Sequence, residues 1–460
     1  MDTTGAQLIL AFIIGLSLLV FLVLKTKVHA FLALIIASVT IGLIAGLESS
    51  MIADSITVGF GGTLGSIGII IGFGVIMGEI YQLSGAATQM ARVFLKICGK
   101  GKEEMALAIT GFIVSIPIFC DSAFVILSPV AKAISRQTKK SAVGLCFSLA
   151  GGLVITHTLV PPTPGPLAVA GLFGAELGKF ILISIILAIP ITAATTIYAV
   201  RVLGKQIYQI PADDGEGWER PAVRPEVSCD LTVVDGKDLP SPFLSFLPIV
   251  LPILLILGQT ISRAAGLQGT MAVILNFLGT PIIAVGIALV ICIYTLALKI
   301  PRQEALSKME NGVKAAGVIL LVTGAGGSLG RVLTTTGIGN YLAEAIAAQP
   351  IPIIVLPFLI ATILRFAQGS ATVAMITAAG ICAPIVEAAD GNVLLCALAA
   401  CVGSLFCSHF NDSFFWVTNR LTGISDNREM IKCWTVTTTI AWATGFVILM
   451  LVYFLFGNTI

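Results

Sequence analysis

The sequence predicts an all-α polytopic membrane protein made of two inverted repeats, each with about five transmembrane helices and one re-entrant hairpin. Three observations predict it. Of 460 residues, 57% are hydrophobic and 11% charged, with a mean hydropathy of +1.02. Apolar runs of about 18 residues or more recur, each long enough to cross a hydrocarbon core of roughly 30 Å. Two such stretches are broken in the middle by residues that do not suit a smooth membrane helix. Finally, glycines and a histidine recur at a constant offset of 252. This composition excludes a large soluble catalytic domain. The net charge of +2 comes with no basic cluster on a soluble face, so nucleic acid is not expected as a partner.

Taken in order, residues 8–24 follow MDTTGAQ, which lacks the basic start of a signal peptide, so the run is expected to be retained. KTK at 25–27 places the end of this helix in the cytoplasm, where short basic loops belong. Residues 29–47 return outward and 57–83 inward, to RVFLKICGKGK at 92–102. Residues 104–134 (EMALAITGFIVSIPIFCDSAFVILSPVAKAI) are apolar but interrupted at Pro117 and Asp121, with basic residues on both flanks. A segment that starts and ends on one side is a hairpin, and arms of about 14 residues at 1.5 Å each are too short to span. Residues 142–175 cross outward, broken by HTLVPPTPGP, and 180–203 return. Segment 205–242 holds eight of the 24 acidic residues and is expected to be a mostly irregular cytoplasmic linker.

The second half repeats the plan with spans at 243–262, 270–298 and 312–333, a hairpin at about 350–388, then 392–409 and 433–457. The domain reading is therefore a first repeat over 1–204, a linker over 205–242 and a second repeat over 243–460. On this map 22 of the 26 Lys and Arg residues are cytoplasmic, the exceptions being Lys179, Arg263, Arg331 and Arg365. Gly78 pairs with Gly330, Gly85 with Gly337, Gly151 with Gly403, His157 with His409 and Gly171 with Gly423, all 252 apart. The tips DSAFV and GSATV align at 248. An odd number of crossings per half turns the second copy upside down. Inverted repeats with broken helices in matching places are the pattern of a secondary transporter with its site near the midplane. Irregular backbone at that depth needs protein or a watery cavity around it. The free amides that open each second arm, near Ser122 and Ser370, suit a carboxylate substrate.

The chemistry-bearing residues cluster at these breaks. Asp121, at the first tip, is a proton or cation site or a hydroxyl acceptor, since a carboxylate at the membrane centre costs roughly 2.5 to 3.5 kcal/mol. Arg365, four residues before Gly369, can pair a carboxylate bidentately; the alternative is an arginine that snorkels or pairs internally. Gly369, Ser370 and Thr372 form the second tip. His157 and Thr163 flank Pro161-Pro162, and His409, Asn411, Asp412 and Ser413 occupy the matching place. Thr163, Asn411 and Ser413 are read as substrate contacts, and His157, His409 and Asp412 as proton partners of Asp121. Glu79 and Arg331 are read as structural. The ten cysteines are scattered and expected to be buried hydrophobes rather than disulfides. No metal-ligand spacing appears, no Walker lysine follows GAGGSLG at 324–330, and no HExxH or GxSxG stands near a polar cluster, so neither a metal site, an ATP-driven pump nor an enzyme is expected.

IPIFCDSAFVILSPVAKAI, HTLVPPTPGP, GAGGSLG, RFAQGSATVAM and NDSFFW resemble the gluconate permease (GntP-type) family of the ion transporter superfamily, and the resemblance runs over essentially the whole chain. It implies a symporter in the bacterial inner membrane that imports gluconate or a related small sugar acid or hydroxycarboxylate. The resemblance also implies that protons drive uptake and that hairpin domains carry the substrate in an elevator-like or rocking motion. It departs from the family at CDSAF, 120–124, where members commonly read like FEVGF. A sodium-coupled carrier of another small carboxylate, or of a D-amino acid such as D-serine, is the alternative. The expected partners are a small anionic substrate, the lipid bilayer and a proton or sodium as coupling ion, with no cofactor; a homodimer is left open.

Overall fold

The computed structural model describes residues 5–212, 217–221, 239–341, 352–409 and 412–456. In the first half the helices are α1 (Gly5–Lys25), α2 (Ala30–Ile44), α3 (Ser49–Ser84), α4 (Ala86–Cys98), α5 (Glu103–Val114), α6 (Cys120–Thr138), α7 (Ala142–Leu159), α8 (Pro164–Phe173), α9 (Leu177–Tyr198) and the short α10 (Gly204–Gln206). In the second they are α11 (Pro242–Ala264), α12 (Thr270–Leu278), α13 (Pro281–Leu296), α14 (Arg302–Thr335), α15 (Val355–Gln368), α16 (Ala371–Ala388), α17 (Val393–Gly403), α18 (Ser413–Leu421), α19 (Asn427–Met430) and α20 (Val436–Phe456). A π-helical turn precedes α10 (Ala199–Leu203) and another precedes α20 (Ile431–Thr435).

Among the described residues seven helices are long and apolar enough to cross a membrane, or up to nine if each of two bent pairs counts as one span. The protein is thus a helical, multi-pass membrane protein. Both interrupted stretches break where the sequence breaks them, at Ser115–Phe119 and at Gly369–Ser370. Gly369 has φ 82° and its N–H donates to Arg365 O at 3.0 Å, a left-handed cap that suits glycine.

Three expectations needed correction. Residues 86–98 form a separate helix with apolar residues buried on one face, entered through Gly85 at φ 72°, where the sequence reading had continued straight into a basic loop. The span expected at 312–333 starts ten residues earlier, at Arg302. Its polar start, RQEALSKMENGVK, is invisible to hydropathy but carries helical spacing, including an exposed Glu310–Lys314 pair at 2.9 Å. The run 270–298 is two helices bent by 68°. Ile210–Pro211 pairs antiparallel with Trp218–Glu219, Arg220 grips Glu429 through two bonds of 2.7 and 2.8 Å, and Lys132 lies 5.1 Å over the Trp218 ring.

The centre of the molecule is formed by α7, whose every residue is buried, with the inner stretches of α8, α16 and α17. Large apolar side chains such as Phe21, Leu254, Phe277 and Phe454 face outward, as a lipid-facing surface requires. The nine described cysteines are free, seven of them buried. The two long helices α3 and α14 run antiparallel along each other: Ser55 Oγ lies 3.1 Å from Thr335 Oγ1, Gly59 abuts Gly327, and Glu79 abuts Gly312. Glu79 and Arg331 therefore sit at opposite ends of this pair and make no ion pair with each other. The helix partners recur in the two halves. α2 packs on α14 and α13 on α3, α5 on α7 and α15 on α17, α6 on α18 and α8 on α16.

Candidate functional site

Three helices begin at one cavity: α6 at Cys120, α16 at Ala371 and α18 at Ser413. The first N–H groups of a helix have no partner within it, and the helix start carries partial positive charge. The last turns of α7 and α15 complete the wall with Val154, His157, Thr158 and Arg365. The cavity is open on one side and has a volume of about 340 Å³, ample for a six-carbon acid.

Arg365 is 3% exposed and its Nη2 donates to Asp412 Oδ2 at 2.6 Å. Its Nε and Nη1 are buried without any hydrogen-bond acceptor among the described residues. Asp412 caps α18, Oδ1 accepting from Phe414 N at 3.1 Å. Ser408 Oγ also donates to Asp412 Oδ2, and Trp434 Nε1 donates to Ser408 Oγ at 2.8 Å. Ser408 is itself fixed at both ends: its N–H donates to Thr438 Oγ1 at 3.0 Å and its carbonyl accepts from Thr435 Oγ1 at 2.6 Å. A chain of contacts thus runs from the π-helical turn before α20 to the guanidinium. Across the cavity, Asp121 Oδ2 accepts from Ser413 Oγ at 3.1 Å, and Oδ1 is buried without a partner among the described residues. His157 is buried, its ring 5.4 Å from that of Phe119 and its Nδ1 without a partner among the described residues.

Among the described residues the cavity wall thus carries two uncommitted guanidinium nitrogens, one uncommitted carboxylate oxygen and one uncommitted imidazole nitrogen within one small volume. This is the complement of a molecule carrying one carboxylate and several hydroxyls.

Of the residues singled out from the sequence, Asp121, His157, Arg365, Gly369, Ser370, Thr372, Asp412 and Ser413 line this cavity. Ser370 Oγ accepts from Val373 N at 3.3 Å, capping α16. Three others stand off the wall. Ser122 is one residue further into α6. Thr163 donates its hydroxyl to Val160 O at 2.6 Å and begins α8. His409 stacks on Phe366 with ring centroids 5.0 Å apart, its Nδ1 2.9 Å from Cys407 O. Asn411 lies outside the described residues. Sequence reasoning missed Phe119, Cys120, Val154 and Phe414, and the Ser408–Trp434 support. An indole in an apolar run looks like an interfacial anchor, and nothing in the one-dimensional pattern ties it to a residue 26 positions earlier.

The Ser408–Trp434 support yields an expected result. Trp434→Phe keeps the ring and removes the N–H, so Ser408 Oγ loses its donor and Asp412 its rigid seat. A neutral hydrogen bond contributes about 0.5–1.5 kcal/mol, so the substrate KM should rise roughly three- to tenfold with kcat little changed. Transport kinetics that leave KM untouched would confine Trp434 to packing.

The GntP family permease model matches residues 7–455. An uncharacterized permease of Haemophilus influenzae is 48% identical over 457 residues, covering 98% of this chain and 93% of that protein. A gluconate permease of Pseudomonas aeruginosa is 33% identical, covering 97% of each. Among solved structures, the crystal structure of the Alcanivorax borkumensis YdaH transporter superposes with a TM-score of 0.62 at 14% identity, covering 92% of this chain and 97% of that one; at that identity the likeness concerns the fold alone.

Proposed function

The chain belongs to the GntP permease family, and on that premise we propose that it is a secondary active symporter of the bacterial inner membrane. It imports gluconate or a related small sugar acid together with protons. Its relatives are permeases and transporters, not enzymes. One observation carries the reading: Nε and Nη1 of the buried Arg365, Asp121 Oδ1 and His157 Nδ1 all lack hydrogen-bond partners among the described residues, around a single cavity fringed by three helix starts. The substrate carboxylate pairs with Arg365 and the hydroxyls with Asp121 and His157. Asp121 takes up the proton that accompanies the anion.

The layout proposed with it is two inverted repeats, with α5–α6 and α15–α16 as re-entrant hairpins and α7–α8 and α17–α18 as broken spans. The repeated order of elements, the repeated helix partners and the antiparallel run of α3 along α14 support it. In this reading α3 and α14 are the fixed frame past which the hairpin-bearing core moves. One proton with one monoanion is electroneutral, so the pH gradient alone drives uptake, at about 1.4 kcal/mol per pH unit.

The test is uptake of labelled gluconate into proteoliposomes holding the purified protein, in sodium-free buffer with an imposed pH gradient. Accumulation that a protonophore collapses is expected. Accumulation only with sodium would replace the coupling ion, and no gluconate transport under either gradient would overturn the substrate.

A further inference from the structure

A second cavity, of about 300 Å³, lies where α3 and α14 meet α8 and α16. We propose that it is an anion-capture vestibule on the external side, in which Arg331 holds the carboxylate of a small hydroxy acid before it reaches the central cavity. The inference rests on the transport reading above but invokes none of the residues of the central cavity.

The location comes first. Helix α16 starts at the central cavity, with Ala371 and Thr372 on its wall, and its Gly380, Ala383, Pro384 and Glu387 line the second one. Gly380 is nine residues beyond Ala371, so at 1.5 Å per residue the two cavities are about 13 Å apart along one helix. The expected sidedness of α14 puts Arg331 at its external end.

The wall comes next. Gly59, Gly62, Gly171, Gly327, Gly330 and Gly380 line the cavity. Some of these are needed for close approach: a Cβ on Gly327 would come 2.6 Å from Gly59 O, and one on Gly380 2.6 Å from Gly326 O. Gly62 is different. A Cβ there would meet nothing within 4 Å, so helix packing does not demand glycine, although glycine in a helix is less favourable than alanine by about 1 kcal/mol. Gly62 borders the cavity, so a larger side chain there would take up part of its volume.

The charge is the third point. Arg331 is the cation on this wall and Glu387 the acid; no ion pair joins them or engages Arg331 elsewhere among the described residues. Glu79, the counterpart of Arg331 by the 252 offset, instead lies within electrostatic reach of Lys308. A guanidinium presents a planar fork matched to a carboxylate, and a Glu387 oxygen can accept from hydroxyls of the same molecule. A volume close to that of the central cavity admits the same ligand.

Two measurements test this. In the first, Thr334→Cys places a thiol on the wall, and its labelling rate is compared for an anionic (sulfonatoethyl) and a cationic (trimethylammonioethyl) methanethiosulfonate. Adding Arg331→Gln should lower the anion-to-cation rate ratio about tenfold, and an unchanged ratio would overturn the anion site whether or not the protein carries gluconate. In the second, gluconate entry is measured in right-side-out and inside-out vesicles. Arg331→Gln should raise the KM about tenfold from the external face alone, with Arg331→Lys recovering most of it, and Gly62→Leu should give the same one-sided rise. An equal rise from both faces, or none, would refute the vestibule. Wild-type vesicles inert to gluconate would reject the proposed substrate, and the labelling ratio would still decide the site.

Discussion

Asp121→Asn abolishes accumulation of substrate against its gradient while exchange of labelled for unlabelled substrate persists. This is the result expected if Asp121 carries the coupling proton. Among the described residues its Oδ1 is buried without a partner and its Oδ2 has one hydroxyl donor, Ser413. An ionised carboxylate so poorly solvated is held at a cost of several kcal/mol, which protonation removes. Asparagine has nearly the same shape and can still accept from Ser413, but it imitates the protonated form permanently. The loaded carrier can then cycle in both directions, and only the deprotonation that commits it to net import is lost. In proteoliposomes under a pH gradient, the steady-state accumulation ratio should fall to about one, with counterflow within about threefold of wild type. A variant that still concentrates substrate in response to the pH gradient would remove Asp121 from the coupling role, and loss of counterflow as well would make it a binding residue.

That Asp121 could be found from sequence at all follows from the medium. In lipid an ionisable residue or a backbone break has to be satisfied by something, so each interruption of an apolar run is informative. Pro117, Asp121, Pro161-Pro162, Gly369 and Asp412 all mark real helix ends for this reason, and five of the acid, arginine and histidine assignments at these breaks reduce to four on the cavity wall, since His409 turns away to stack on Phe366. GAGGSLG behaved otherwise. Its glycines suit either helix packing or a third break, and they remain within the continuous helix α14, where they allow the close approach of α3 and α16.

Other features were illegible because they depend on properties that hydropathy does not record. The amphipathic helix α4 and the polar start of α14 carry a helical period without enough apolar content to register as spans. Thr163 was read as a substrate contact because threonine beside a break usually has a hydroxyl to offer. Here a carbonyl three residues earlier takes that hydroxyl, a local bond that serine and threonine commonly form at helix starts. The Ser408–Trp434 support is a tertiary contact, as is the pairing of Arg365 with Asp412, for which an internal partner had been only one of the alternatives.

That pairing makes Arg365 the residue whose replacement has two consequences, and they have to be separated. Arg365→Gln removes the guanidinium N–H donors available to a carboxylate and also strands Asp412, which keeps its bonds from Ser408 and Phe414 N but loses its counter-charge. Breaking a buried ion pair from one side costs about 3–5 kcal/mol, so the single variant should be markedly less heat-stable and a weak binder, and the second effect could be blamed on the first. Arg365→Gln combined with Asp412→Asn removes both charges. Replacement of a whole buried pair is often close to neutral, so the thermal midpoint of the double variant should return most of the way to wild type. Binding should not return, because the amide cannot supply the charged fork: hydrogen bonds to charged groups contribute about 1.5–3 kcal/mol each, which puts the expected rise in KM at 100-fold or more. The two readouts therefore part company in the double variant if Arg365 is the carboxylate anchor, with stability regained and affinity still lost. If instead the KM recovers along with the thermal midpoint, Arg365 serves only to hold Asp412 in place, and the helix starts at Cys120, Ala371 and Ser413 must bind the anion without it.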